Sequence, residues 1–291
     1  MASTKEKRIL LKKLFAGPDI VVAPGCSDVL TARLVERAQL QAIHASGSVA
    51  HRTSGYPDAG MLTMTEMTDR IAALADGVDL PVIADADTGF GGAANVVRTV
   101  KEYERAGAAA IHIEDQLTPK RPTHMGYDGS FITRQEMVDK IRAALDTRDD
   151  PNLQIIARCD VADWGEKLER VAACMEAGAD GAWLSARGIE NIQELSQAAG
   201  KPMIGVLPQG MTLKEYQDAG ASCAVIPGAL QIAALCAQLA LLEELKAAGS
   251  TDGYLSKQPS VAELRQFYSQ QGNDELQRIE LEYGGTPKAD Q

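Results

Sequence analysis

The chain has 291 residues, 45% of them apolar and 24% charged, enough for one large barrel or two average domains with a real core. Its net charge of −11 argues against nucleic acid and against an anionic membrane surface, yet leaves room for a local site that takes an anion. Five cysteines, odd in number and without a C-x-x-C pair, point to a reducing compartment rather than a disulfide framework or a zinc site.

The segment Met1–Leu14 is basic and helix-like but has no long apolar core, so no secretory signal is expected. No apolar run approaches the ~20 residues needed to span a bilayer, and a cytoplasmic protein is expected. Short apolar, β-rich runs then recur between helical stretches. They are Ile20–Ala23, Ala42–Ala45, Val82–Ala84, Ala110–Ile113, Gln154–Ala157, Gly181–Leu184, Met203–Val206 and Cys223–Ile226. Near-continuous apolar strands alternating with amphipathic helices mean a parallel sheet covered by helices, and eight such units predict a (β/α)8 TIM barrel. Ala106-Gly107-Ala108, Ala177-Gly178-Ala179 and Ala219-Gly220-Ala221 each place a glycine where a helix ends before a strand.

Beyond Gly228 the pattern changes. Ala229–Gly249 reads as a long Ala/Leu-rich helix, Ser250–Ser260 as a polar break, and Val261–Tyr283 as a further amphipathic segment. No interdomain linker is visible, so one domain over 1–291 is expected, with the barrel at about 10–249 and a helical tail at about 250–291. The tail has no evident groove in its own subunit, and packing on a partner chain is expected.

In a barrel, chemistry sits at the C-terminal ends of the strands. The third strand runs into Asp85-Ala86-Asp87-Thr88-Gly89-Phe90-Gly91, where two carboxylates share one face because strand residues two apart point the same way. Paired carboxylates suit a hard divalent cation; the alternative is a capped turn. The neighbouring strand ends add Ser46-Gly47-Ser48, Glu114-Asp115, Arg158-Cys159-Asp160 and Ser185-Ala186-Arg187. Asp85, Asp87 and Glu114 resemble a Mg²⁺ shell. Arg158 offers a bidentate fork for a carboxylate, and Ser46–Ser48 offers backbone N–H groups to the same anion. Asp58 lies in a turn within reach of that site. The loop Leu117–Ser130, with Lys120, Arg121, His124 and Tyr127, is a candidate cover that excludes water. His44 ends its strand beside the Ser46 turn and is a candidate to hydrogen-bond a ligand or that loop. Neither it nor His124 forms a zinc motif, and no P-loop or G-x-G-x-x-G occurs.

These pieces, with Gly55-Tyr56-Pro57-Asp58 and Pro119-Lys120-Arg121, resemble the isocitrate lyase/phosphoenolpyruvate mutase superfamily over Leu10–Tyr283. The resemblance implies that Asp87 binds Mg²⁺ directly, with Mn²⁺ as a substitute, and that Asp85 and Glu114 act mainly through water. It implies that Ser46, Gly47 and Arg158 hold the substrate carboxylate, with Asp58 beside the metal. It also implies a homotetramer whose last barrel helix is exchanged between subunits. Three departures matter: Ser185 stands where the lyases carry a glutamate near the end of strand six, Val206 and Pro208 stand where they carry an Asn/Thr pair after strand seven, and the loop differs. The lyase branch carries K-R-C-G-H, whose cysteine protonates the leaving enolate, whereas here Lys120-Arg121-Pro122-Thr123-His124 stands at those positions. The reading is a Mg²⁺-dependent lyase that cleaves a carbon–carbon bond of a small 2-hydroxy or 2-oxo carboxylic acid, of 2-methylisocitrate or 2-alkylmalate type. Its catalytic residues are Asp58, Lys120, His124 and Arg158; Ser46, Gly47, Ser48 and Asp87 bind substrate. An oxaloacetate decarboxylase, an enzyme of the phosphonate branch, and a non-catalytic small-acid binder or structural oligomer are the alternatives.

Overall fold

The computed structural model describes residues 2–121, 130–184, 186–258, 261–270 and 273–284. The chain forms two compact units, Met1–Ile232 and Ala233–Gln291. In the first, eight parallel strands follow one another: β1 (Val21–Pro24), β2 (Ile43–Ala45), β3 (Val82–Asp85), β4 (Ala110–Glu114), β5 (Gln154–Arg158), β6 (Gly181–Leu184), β7 (Met203–Val206) and β8 (Cys223–Ile226). The sheet order β1-β8-β7-β6-β5-β4-β3-β2 leaves one seam, between β1 and β2, which is bridged by Gly25 and His44. This is the expected (β/α)8 barrel, with strand positions displaced by at most a residue.

Strand parity sorts the core into two shells. Val21, Ala23, Ile83, Ala110, Ile156, Trp183, Ile204, Cys223 and Val225 pack inside the barrel, where Leu11 and Phe15 of α1 (Thr4–Phe15) join them. The opposite strand face packs outward on the helices α2 (Val29–Arg37), α4 (Met64–Gly77), α5 (Ala93–Arg105), α6 (Arg134–Thr147), α7 (Trp164–Glu176) and α8 (Ile189–Ala199). Two-sided burial explains why the strands read as unbroken apolar runs. The short helices α3 (Gly47–Thr53) and α9 (Leu213–Asp218) complete the ring between strands.

Helix starts are fixed by local chemistry. Ser3/Glu6, Thr63/Glu66, Thr133/Glu136 and Thr212/Glu215 form reciprocal capping boxes at α1, α4, α6 and α9. The A-G-A glycines take φ of 97°, 108° and 109° at Gly107, Gly178 and Gly220, the left-handed turn that releases each helix toward its next strand. α1 is anchored by buried cations: Lys7 Nζ donates to the carbonyls of Ala75 and Val78, and Arg8 donates to those of Ala108 and Glu104.

α10 (Ala229–Ala248) buries no residue; Leu235, Leu239 and Leu242 are 50–60% exposed. α11 (Asp252–Leu255) is a single turn within the polar break. The amphipathic segment is helical, with α12 (Val261–Gln270) and α13 (Asn273–Glu282).

Candidate active site

Parity carries the chemistry into the barrel mouth. Ile83 faces the interior, so Asp85 does too; Ala110 is followed on the same face by His112 and Glu114; Ile156 is followed by Arg158. Asp85, Asp87 and Glu114 are all at most 5% exposed, and Arg158 is partly buried beside them.

Asp85 is held by the backbone. Its Oδ2 accepts from Gly47 N and its Oδ1 from Asp87 N, each at 3.0 Å. A Cβ on residue 47 would stand 2.8 Å from Asp85 Oδ2, so this approach requires glycine. Burial alone would raise the Asp85 pKa, but the surrounding positive charge of Lys120 and Arg158 outweighs it and holds the carboxyl well below its usual range. Asp87 follows at φ +46°, a left-handed conformation that aspartate tolerates better than most residues. This turn places its carboxylate against Lys120.

Lys120 Nζ contacts Asp87 Oδ1, lies 2.8 Å from Asp58 Oδ1 and stands 4.0 Å from Glu114 Oε1. Burial disfavours its charge, yet Glu114, Asp87, Asp85 and Asp58 raise its pKa above the ordinary lysine value. Burial pushes Glu114 up to about 8 despite Arg158 and Lys120. Neither Glu114 oxygen accepts a hydrogen bond among the described residues, nor does Asp87 Oδ2; Glu114 Oε2 faces Arg158 Nη1 at 3.3 Å. Arg158 is oriented by Asp160, whose Oδ2 accepts from Nε at 2.8 Å and forms an ion pair with Nη2 at 2.8 Å, and its guanidinium lies 5.5 Å from the centre of the Trp183 ring. Asp160 N donates to Asp115 Oδ1, and Asp115 Oδ2 meets Arg170 Nη1 at 3.1 Å.

Below the carboxylates lies a layer that strand counting alone passed over. His44 and His112 stack with ring centres 5.3 Å apart, their Nε2 atoms 3.0 Å from each other, and His112 rests on Trp183. His112 Nδ1 is 3.6 Å from Asp85 Oδ1. Burial lowers His44 to about 4 and His112 to about 3, so both rings are neutral near pH 7. His44 bonds to His112 through Nε2, and its Nδ1 has no hydrogen-bond partner among the described residues. His112 hid inside the apolar run Ile111-His112-Ile113; its two-residue spacing from Glu114 was the available signal. Asp160, two residues past Arg158, was legible in the same way.

Ser46 caps α3, accepting from Val49 N and pairing its hydroxyl with that of Ser48 at 3.1 Å. Ser46, Gly47, Asp58, Asp85, Asp87, Glu114, Lys120 and Arg158 thus converge on one mouth. His124 and Tyr127 lie outside the described residues, as does Ser185. The loop that carries the first two is closed at its base by an antiparallel bridge between Gln116 and Phe131 and by Leu117 N donating to Ser130 O.

The phosphoenolpyruvate phosphomutase family model matches residues 11–246. The 2,3-dimethylmalate lyase of Eubacterium barkeri is 37% identical over 285 residues, covering 94% of this chain and 96% of that protein. The chain belongs to the phosphoenolpyruvate mutase/isocitrate lyase superfamily of lyases. Two solved structures of this superfamily superpose closely. Phosphoenolpyruvate phosphomutase from Streptomyces platensis subsp. rosaceus gives a TM-score of 0.88 at 31% identity, covering 95% of this chain and 99% of that one. Phosphonopyruvate hydrolase, solved with oxalate and Mg²⁺, gives 0.84 at 27% identity with the same coverage. The superfamily thus spans carbon–carbon and carbon–phosphorus chemistry on one barrel.

Proposed function

We propose that the chain is a Mg²⁺-dependent carbon–carbon lyase acting on a small 2-hydroxy or 2-oxo carboxylic acid, of 2-alkylmalate or 2-methylisocitrate type, through an enolate. The observation that carries this reading is the Lys120 ammonium held among Asp58, Asp87 and Glu114 beside Arg158. A buried cluster of that kind is a cation site next to a carboxylate fork.

The donor set fits a hard divalent ion. Among the described residues, Asp87 Oδ2 and both Glu114 oxygens are buried without hydrogen-bond donors, and Lys120 supplies a positive charge where such an ion would be needed. Asp85, Asp87 and Glu114 are the assigned ligands, with Mn²⁺ as a substitute. His44, Asp85 and His112 also bring ligand atoms together, but softer imidazoles stacked on Trp183 suit Mg²⁺ poorly. Mg²⁺, when bound, stabilises negative charge that develops on substrate oxygens.

The remaining roles fall to the chain. Arg158, preoriented by Asp160, pairs with the substrate carboxylate, while Ser46, Gly47 and Ser48 receive the same anion. Asp58 and Lys120 flank the reacting carbons, where Lys120 offsets developing charge. Cleavage passes the hydroxyl proton of the substrate to a carboxylate of the cluster as that carbon becomes a carbonyl, and the bonding pair of the broken carbon–carbon bond goes to the enolate product, which then needs a proton at carbon. Pro122 has none to give, and His124 is the donor in this reading. Where the reaction is instead decarboxylation of an oxaloacetate-like acid, solvent supplies that proton; Pro122 in place of the lyase cysteine is what favours this second reading.

The enzyme is assigned to the cytoplasm, as a homotetramer that exchanges its last barrel helix. The four described buried cysteines and the exposed apolar face of α10 support these assignments. Among the described residues no helix is long and apolar enough to cross a membrane. The deciding experiment incubates the protein with Mg²⁺ and a panel of 2-alkylmalates, methylisocitrate, oxaloacetate and phosphonopyruvate, with detection of keto acid, CO₂ and phosphate. Keto-acid release from a 2-alkylmalate or methylisocitrate is expected; turnover of oxaloacetate alone, to pyruvate and CO₂, or of phosphonopyruvate alone, to pyruvate and phosphate, would reassign the branch.

A further inference from the structure

One fully buried histidine belongs to none of the roles above. His51 sits on α3, one turn after Gly47, and is 0% exposed. Its Nδ1 lies 2.8 Å from the Gly47 carbonyl. Its Nε2 receives two backbone donors, Met61 N at 3.1 Å and Leu62 N at 3.2 Å. Amide N–H groups only donate, so Nε2 must be the unprotonated acceptor and the proton must sit on Nδ1, donated to Gly47 O. The hydrogen-bond network therefore assigns a neutral ring of one tautomer, with both nitrogens engaged.

What the ring joins is informative. The Gly47 peptide is fixed from both sides, its N–H on Asp85 and its carbonyl on His51. The segment after α3 turns back on the same residue: Tyr56 N donates to the His51 carbonyl, Met61 and Leu62 bond to its ring, and Asp58 Oδ1 passes 3.7 Å from Nδ1 on its way to Lys120. A purely space-filling residue here would leave the Met61 amide without this partner and the Leu62 amide unpaired at a buried position.

We propose that His51 is a positioning residue that fastens the Asp58-bearing segment to the Gly47 anion cradle, so that Asp58 and Gly47 hold a fixed separation across the mouth. This rests on the assignment of Gly47 and Asp58 to the substrate and metal site. His51 touches no reacting atom; it acts by setting where two other groups stand.

The test uses the full chain and two substitutions that split the ring's two bonds. His51→Asn retains a donor near Nδ1 but is too short to reach Met61 and Leu62. His51→Gln reaches them with its carbonyl oxygen. Hydrogen exchange should speed by about tenfold or more in the segment 57–63 of His51→Asn, with the strand peptides unchanged, while His51→Gln stays near the parent. Oxalate in the presence of Mg²⁺ is the binding probe. Its Kd should rise by roughly tenfold to a hundredfold in His51→Asn, the scale of an ångström-level misplacement, and recover in His51→Gln. Parent-like exchange in His51→Asn overturns the proposal, and so does fast exchange with an unchanged Kd. Should His51→Asn not fold, ¹⁵N spectra of histidine-labelled parent decide: a proton on Nε2 of His51 overturns it, and a proton on Nδ1 supports it. A parent that binds no oxalate with Mg²⁺ strikes the function reading instead, and the exchange comparison still decides the tether.

Discussion

Asp87 donates its backbone N–H to the carboxylate of Asp85 at 3.0 Å, while its own carboxylate turns away to Lys120. The left-handed φ of +46° at Asp87 makes this division possible, and it separates the two acids by task. Asp85 is occupied by backbone donors, whereas Asp87 Oδ2 accepts no hydrogen bond among the described residues. Asparagine tolerates the same backbone conformation. Asp87→Asn should therefore fold as the parent does, by circular dichroism and melting, while turnover falls by on the order of 10²-fold or more. Near-parent turnover would remove Asp87 from the site.

Metal removal is the direct companion experiment. Dialysis against a chelator should abolish turnover, and Mg²⁺ or Mn²⁺ should restore it. Full activity after exhaustive chelation would show that Lys120 alone supplies the positive charge this cluster needs.

His124 decides between cleavage and decarboxylation. In a retro-aldol reaction its loss as a general acid should cost ~10²–10⁴-fold, so His124→Gln should slow keto-acid release by that factor without changing folding. Unchanged turnover in His124→Gln, with rapid CO₂ release from oxaloacetate, would select the decarboxylase.

The tail predicts assembly. A helix as apolar as α10, with no buried residue and Leu235, Leu239 and Leu242 exposed, calls for a covering surface. The protein should sediment as an oligomer, and deletion after Ser256 should lower both its size and its melting temperature. A monomer at micromolar concentration would contradict the exchanged helix.

Acid should loosen the helix ends together. Side-chain and backbone hydrogen bonds from the cap residues lower the pKa values of Glu6, Glu66, Glu136 and Glu215 in the folded chain. A lowered folded-state pKa contributes stability above the unfolded value of about 4.5, which is lost as pH falls through the folded value. Melting temperature should thus decline as pH drops from 5 toward 3. The combined variant Glu66→Gln, Glu136→Gln should flatten that decline; an unaltered slope would mean the boxes contribute nothing.

The barrel was legible because every strand is buried on both faces, so eight apolar runs stand out from charged helices. The mouth was legible in part, since Asp85, Glu114 and Arg158 end their runs conspicuously. His112 was not, because one polar residue between isoleucines leaves the run looking apolar. His51 was hidden for another reason: its partners Met61 and Leu62 are backbone groups ten and eleven residues away, and backbone donors carry no mark in a sequence. Lys120 was expected at the mouth from family resemblance, yet nothing in its local sequence says that it would be buried among carboxylates.

The Gln116–Phe131 bridge has a consequence for how this enzyme could diversify. Because Leu117 and Ser130 are joined by a hydrogen bond, the stretch between them begins and ends at one point on the barrel rim. Closing a chain between fixed neighbours costs free energy that grows only with the logarithm of its length. Segments of different length and sequence can therefore be exchanged at this junction while Glu114 and Asp115 keep their places. The segment becomes a replaceable cassette mounted on constant strand ends, and transplanting a K-R-C-G-H segment between Pro119 and Ser130 is the graft to which the rim is suited.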